Sequence, residues 1–294
     1  MTKKDLAALL GCYILWGFQP LYWNLVDEVE PLTILACRII LAAVFSALLL
    51  LMQGRLGELW RVLRDRSVMK YLLPAVVFLL LDWSVFIIVV NSGHILDASL
   101  GYYINPLILF LAGVLVYREH CGRLQLLALG FAAAGVIIST VAFGSFPGIS
   151  LIIALNWAVY AIIKKNVQLD GVLSIAAETA LLTVPALLFL IFFRRPELAA
   201  VSTRSGLILL GSGMITALPM FLYSGCVRRL PLILMCFAQY LSPTFNLICG
   251  LITGESFGDS QLVSFGFFIA AIIIFTINEI REVRSKNGDQ LQHQ

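Results

Sequence analysis

Runs of about twenty apolar residues recur along this whole sequence, and they limit its fold more than any other feature. An α-helix rises ~1.5 Å per residue, so about 20 residues cross ~30 Å of hydrocarbon. Inside hydrocarbon the backbone has no water to bond, so the spanning element must satisfy its own N–H and C=O groups. Cutting the 294-residue chain at charges and turn residues yields ten such segments, at 5–26, 32–52, 68–91, 97–117, 122–142, 147–164, 171–193, 205–227, 231–253 and 258–280. The connections are short, among them 144–147 and 91–96, and leave no room for a soluble domain. The chain is 60% hydrophobic and 13% charged, with a mean hydropathy of +0.95, where a soluble domain carries about 25% charge. A soluble enzyme, a disordered protein and a fibrous protein are excluded. The expected class is an all-α integral membrane protein with ten transmembrane helices and a lipid bilayer as partner. The net charge of +3 carries no nucleic-acid signal.

The first span is longer than the apolar core of a secretion signal, carries Trp16, Gln19 and Trp23, and lacks a small-x-small cleavage site. It reads as a retained helix. The longest polar piece runs from Gln53 to Ser67. There Leu56, Leu59, Trp60 and Leu63 follow helical spacing between Arg55, Arg61, Arg64 and Arg66. That pattern suits a short interfacial helix among anionic headgroups. Lys and Arg collect in cytoplasmic loops. With the N-terminus inside, 16 of the 20 Lys and Arg residues fall on the inner side and three on the outer, Arg194, Arg195 and Arg204. Arg38 remains, within a span. Both termini are therefore expected in the cytoplasm, in a multi-pass protein of the plasma (inner) membrane.

None of the six cysteines forms a CxxC pair or a Cys/His cluster, and His94, His120 and His293 have no metal-ligand spacing. They read as small buried hydrophobes and isolated imidazoles. No P-loop, GxSxG, HExxH or GxGxxG fingerprint is present. No metal, no cofactor and no enzymatic activity are expected.

The fourth and ninth spans read alike. Tyr103-Ile104-Asn105-Pro106 matches Tyr240-Leu241-Ser242-Pro243 at an offset of 137, and Gly113 and Gly250 keep that offset. Each run ends in an acid, Glu119 and Glu255, and Trp16 and Trp157 occupy comparable places in the first and sixth spans. Five spans plus five, an odd number in each half, make the halves insert in opposite directions, a transporter pattern. The division is 1–143 for the first five-helix repeat, 144–284 for the second, and 285–294 for a cytoplasmic tail.

The stretch Asp82-Trp83-Ser84-Val85-Phe86-Ile87 to Val90-Asn91, then His94, then Ala98 through Leu107, closely resembles the RarD family of EamA-type transporters in the drug/metabolite transporter superfamily. Further matching pieces are Leu15-Trp16-Gly17 with Pro20, Ile34-Leu35 to Arg38, Glu178-Thr179, and Gln239-Tyr240 with Pro243-Thr244. The resemblance covers nearly the whole chain. It implies ten helices, two EamA repeats, an inner-membrane location, and export or exchange of small metabolites. Asp82 stands where the family pattern has a neutral residue, and Cys37 where it has histidine.

Polar groups at membrane depth are expensive, about 2.5–3.5 kcal/mol for a charge at a helix centre on insertion scales. Arg38, Asp82 and Glu178 are therefore the candidate charge and coupling residues. Glu178 is the approximate counterpart of Arg38 at an offset of 140, which would set a base and an acid near the two mouths of one pathway. Asp82 is the deepest acid and a candidate proton site. Pro106 and Pro243 each remove a helix hydrogen bond, freeing the carbonyls of Tyr102 and Gln239. Backbone freed in this way is tolerated where it is re-satisfied or lines a wet cavity. Tyr102, Tyr103, Asn105, Gln239, Tyr240 and Asn246 lie around these kinks. Trp16, Gln19, Trp83, Asn156, Trp157 and Tyr160 add amphipathic groups to the expected cavity. The leading reading is a secondary transporter for a small-molecule substrate, with protons as a possible coupling ion, functioning as a monomer. Flipping of a lipid or lipid-linked intermediate is the alternative. An intramembrane transferase comes third, because no DDxxD-like pair is present.

Overall fold

A computed structural model describes residues 3–26, 28–91, 95–144, 146–194, 201–253 and 258–292. These fold into twelve α-helices and one 3₁₀ turn, with no strand among the described residues. The helices are α1 (Lys3–Trp23), α2 (Pro31–Met52), α3 (Leu56–Arg64), α4 (Arg66–Asn91), α5 (Ile95–Leu115) and α6 (Arg123–Phe143). After them come α7 (Gly148–Lys165), α8 (Gly171–Phe193), α9 (Thr203–Val227), α10 (Leu232–Gln239), α11 (Leu241–Thr253) and α12 (Asp259–Gln292). Among the described residues seven helices are long and apolar enough to cross a membrane, and Leu100–Leu115 and Leu262–Asn278 are shorter apolar stretches.

Helices overlie the expected segments, with two differences. The ninth segment is two helices, α10 and α11, divided at Tyr240. Pro243 lies in the first turn of α11, so the break falls where proline removes a donor. The last helix continues to Gln292 instead of ending near 280. The polar piece after α2 does contain a helix, α3, whose Val62 is buried and whose Trp60 is 58% exposed under the Arg64 guanidinium.

Local chemistry sets the helix ends. Glu30, Asp170 and Ser202 each accept a backbone N–H in the first turn of α2, α8 and α9, as N-caps do. Gly144 ends α6 at φ 76°, in the left-handed region that glycine enters freely. Packing depends on small residues. A Cβ on Gly213 of α9 would stand 2.4 Å from the carbonyl of Leu41 on α2, so these two backbones touch.

The strongest packings pair α6 with α12, α2 with α8, α5 with α7 and with α10, α2 with α9, α4 with α7, and α1 with both α9 and α11. One continuous core results, reaching from Leu9 and Tyr13 of α1 to Phe268 and Phe275 of α12.

The two ends of the bundle differ. At the α3 end polar side chains tie helix termini together. Glu119 accepts the N–H groups of Leu232 (2.8 Å) and Ile233 (2.9 Å), at the start of α10. Lys165 donates to the carbonyls of Leu230 (2.6 Å) and Val227 (3.3 Å) and stands 3.8 Å from Glu119. Arg229 pairs with Asp5, and Arg55 with Asp170. At the opposite end Arg194 meets Glu30 at 3.3 Å and Ser202 donates to Glu28 at 2.6 Å.

Candidate functional site

The interior of the bundle holds three connected polar groups. The first centres on Arg38. Seven residues into α2, about 10 Å from its start, the guanidinium lies between two indoles, 4.8 Å from Trp83 and 5.6 Å from Trp23. Each such contact is worth about 0.5–2 kcal/mol, more where water is excluded. Its Nε is buried without a hydrogen-bond partner. Tyr102 and Asp82 are within electrostatic reach of it. Asp82 is buried on α4, and Asn156 of α7 approaches its Oδ1 at 3.5 Å while donating to the carbonyl of Phe78 at 2.9 Å.

The second group is aromatic. Trp16 packs against Tyr13, Trp157 and Tyr223, each at 5.5 Å between ring centroids. Trp157 adds contacts to Tyr160 at 5.2 Å and Tyr223 at 5.3 Å. The rings are tilted or edge-on, the arrangement that aromatic quadrupoles favour. The hydroxyls of Tyr13 and Tyr223 and the indole N–H of Trp157 are buried without hydrogen-bond partners. Buried polar atoms are normally paired, so these are groups that a polar occupant of the interior would satisfy.

The third group lies toward the α3 end. Glu178 of α8 forms a fully buried ion pair with Lys164 of α7. Tyr160 donates to the same carboxylate at 3.2 Å, and Lys164 donates to Ser174 at 2.8 Å. Tyr160 and Tyr223 are in electrostatic reach of both Glu178 and Asp82, so the aromatic group stands between the two acids.

The remaining candidates serve the helix crossings. Gln239 donates to Asn105 at 2.8 Å, and Asn105 donates to the carbonyl of Ala154 at 2.6 Å, joining α10, α5 and α7. Tyr240 donates to the carbonyl of Tyr103 at 3.2 Å. The fourth and ninth spans thus meet at the matched tyrosines. The Tyr103 and Tyr240 rings stack on Phe268 of α12, at 4.5 and 5.1 Å, so both are held by packing. Pro106 is buried inside an unbroken α5, while the break near Pro243 is complete. Gln19 donates to the carbonyl of Ile215 at 2.9 Å. That carbonyl lies four residues before Pro219, so Gln19 occupies the acceptor that the proline leaves free. Arg38 and Glu178 do not meet: each has its own surroundings.

Sequence reasoning missed Lys164, Ser174, Tyr13 and Tyr223 as site residues. Lys164 is one of the 16 inner-side cations by sequence, because a lysine in the last turn of a span reads as a loop residue. Glu255, His94 and His293 lie outside the described residues. His120 is exposed, and no group of three or more His, Cys, Asp or Glu side chains that could hold a metal occurs among the described residues.

A cavity of about 210 Å³ lies between α2, α4 and α8. Leu35, Ala36, Ile39, Ser84, Pro185 and Phe189 are among its lining residues.

Comparison with known proteins agrees with this architecture. Residues 2–141 match the model of the EamA-like transporter family. The transporter YojE of Bacillus subtilis is 37% identical over 98% of both chains. The protein RarD of Streptomyces exfoliatus is 32% identical over 93% of this chain and 88% of its own. RarD of Escherichia coli is 29% identical over 95% of this chain and 96% of its own. A solved structure titled "Crystal structure of protein" superimposes with a TM-score of 0.72 over 96% of this chain and 99% of its own, at 15% identity, a likeness of fold alone. With the EamA match and RarD relatives spanning nearly its whole length, this multi-pass membrane protein belongs to the RarD group of EamA-type transporters, in the drug/metabolite transporter superfamily.

Proposed function

We propose that this chain is a secondary active transporter that exports or exchanges a small metabolite or drug-like molecule by alternating access. It crosses the inner membrane ten times as two inverted five-helix repeats, 1–143 and 144–284, and acts as a monomer. The observation that carries this reading is a repeated hydrogen bond. Gln19 to the Ile215 carbonyl and Asn156 to the Phe78 carbonyl are equivalent contacts: Asn156 stands 137 residues after Gln19, and Ile215 the same number after Phe78. Tyr103 and Tyr240, bonded to each other, keep the same offset. Exchanging the halves also maps the α1–α9 packing onto α7–α4 and α1–α11 onto α7–α5, and maps α2–α8, α5–α10 and α6–α12 onto themselves. Two near-equivalent halves about one interior site can rock against each other. The ties between Glu119, Lys165 and the start of α10 then form the closed gate of this state. Asp82, Arg38, Trp83, Tyr102, Asn156 and Tyr160, with Glu178 beyond, line the route.

The test takes its substrate from an untargeted metabolite comparison of cells with and without the protein. Cysteines at Glu119 and Pro231, bridged by a short thiol-specific cross-linker, should stop movement of that substrate, and reduction of the linker should restore it. Transport that continues through the bridged protein would refute alternating access at this gate.

Orientation is tested separately. In a cysteine-free background, a single cysteine at Ser67 should react from the cytoplasm and one at Ser145 from outside, because 16 of 20 Lys and Arg residues fall on the Ser67 side. The reverse labelling would invert the topology.

A further inference from the structure

We propose that the cavity between α2, α4 and α8 holds one acyl chain of a membrane phospholipid, whose phosphate lies against Arg194 at the cavity rim. The lining includes none of Arg38, Asp82, Trp83 and Tyr102, so this site is separate from the interior route. It goes beyond the transporter reading and needs only a chain that spans the bilayer. Leu32 and Leu35 of α2, Leu80 and Ser84 of α4, and Pro185 and Phe189 of α8 form much of the wall, and Ser84 is the one polar lining side chain. Pro185 is exposed, and Leu80 and Phe189 are half-buried, so the cavity opens on the surface of the bundle. Exposed apolar side chains stand next to these lining residues: Leu81 beside Leu80, Val184 beside Pro185 and Leu188 beside Phe189. In a membrane-spanning bundle such side chains face hydrocarbon. An unfilled void forfeits dispersion contacts, and lipid tails, as apolar as leucine, supply them.

The rim defines the rest of the ligand. Arg194 follows α8, and its guanidinium stands 5.6 Å from the ring centroid of Phe189, a lining residue. It meets Glu30 at 3.3 Å, and Glu30 caps α2, whose second residue, Leu32, is also in the wall. The cation and the cavity thus share Phe189, and the acid closes the same end. Both side chains are a third exposed, at the end of the bundle opposite α3, where hydrocarbon gives way to headgroups. An arginine binds phosphate through charge-assisted hydrogen bonds while its apolar stem lies along hydrocarbon. Glu30 offsets one charge, so the rim does not demand an anionic headgroup and recognises the phosphate that all phospholipids carry. By sequence Arg194 is one of three Lys or Arg residues at this end, against 16 at the other. Cations are depleted from this side of membrane proteins, and a phosphate ligand gives this one a role.

The probe is phosphatidylcholine with a diazirine midway along one acyl chain, a trace in phosphatidylcholine vesicles that carry the full chain. Light expels dinitrogen, the carbene inserts into the group it touches, and peptide mass spectrometry locates the adducts. They should fall on the lining residues Leu80 and Leu182 as well as on exposed Leu111 and Ile137 elsewhere on the bundle. Adducts on exposed positions alone would overturn the proposal. Ala186→Phe, which fills the cavity, should lower labelling of Leu80 and Leu182 about fivefold, while unchanged labelling of Leu111 and Ile137 reports that the variant is folded in the bilayer. Arg194→Gln should lower the lining adducts about threefold, and this rim variant keeps the test decisive if Ala186→Phe does not fold. A diacylglycerol with the same diazirine chain has no phosphate, and should label the exposed positions but only weakly the lining. Lining adducts that match the wild type in both variants, or that the diacylglycerol gives equally, would overturn the proposal. So would a water-soluble aromatic diazirine that labels Leu80 and Leu182 as strongly as the lipid does, since the cavity would then belong to an aqueous route.

Discussion

Glu178→Ala is expected to destabilise the protein by about 3–5 kcal/mol, the usual cost of removing one partner from a buried ion pair. The carboxylate is fully buried against the Lys164 ammonium and accepts a hydrogen bond from Tyr160. Without it, Lys164 keeps only Ser174 and the face of Tyr160, at 5.7 Å from the ring centroid. Neither offsets a full charge in so buried a site. The double change Lys164→Met with Glu178→Leu removes both charges and keeps the volume, so it should recover most of the loss, as apolar replacements of buried ion pairs often do. Thermal unfolding of the three proteins in one detergent measures this. A Glu178→Ala protein that unfolds with the wild type would show that the pair is hydrated and contributes nothing to stability. The pair joins α7 to α8 toward the α3 end, and Lys164 directly precedes Lys165 in the chain.

Much of this architecture is legible in the chain because hydrocarbon allows so few solutions. Apolar runs bounded by charges mark most helices, and the Leu56, Leu59 and Leu63 spacing among arginines marks α3. The match of Tyr103 to Tyr240 located a real contact, in which Tyr240 donates to the Tyr103 carbonyl. What stayed hidden depends on the third dimension. Lys164 looks like a loop cation, and its burial against Glu178 of α8 shows only in the structure. Tyr13 and Tyr223 are single tyrosines in apolar helices, and their role becomes visible when five rings converge. The pairing of Trp16 with Trp157 was read as a correspondence between halves. The rings do touch, at 5.5 Å, but the hydrogen bonds keep the 137-residue register through Gln19 and Asn156 instead. A tryptophan pair is conspicuous in sequence, while a glutamine and an asparagine that meet equivalent carbonyls are not.

Asp82→Asn is expected to abolish proton-driven accumulation while leaving exchange of substrate intact. At the 137-residue offset of the proposed repeat Asp82 corresponds to Pro219, so that reading gives the second half no equivalent acid. The carboxylate is buried, approached by Asn156 at 3.5 Å, and has no contact cation among the described residues. A charge in that position costs several kcal/mol unless it is hydrated, protonated or matched. A group so placed can take a proton when the route is open to one side and release it when open to the other. Asparagine keeps the shape and an acceptor for Asn156, so the variant should insert and fold. One proton coupled to a pH difference of one unit supports about tenfold accumulation, since one unit equals about 1.4 kcal/mol. Proteoliposomes carrying the wild type should therefore reach about tenfold accumulation under such a gradient, and those carrying Asp82→Asn should stop at equal concentrations on the two sides. Counterflow, in which labelled substrate outside exchanges with unlabelled substrate inside, should proceed in both, because it needs the two halves to rock but needs no net proton movement. A variant that still accumulates substrate would reduce Asp82 to a structural aspartate held by Asn156. Coupling would then have to pass through Glu178, the other acid that Tyr160 and Tyr223 face.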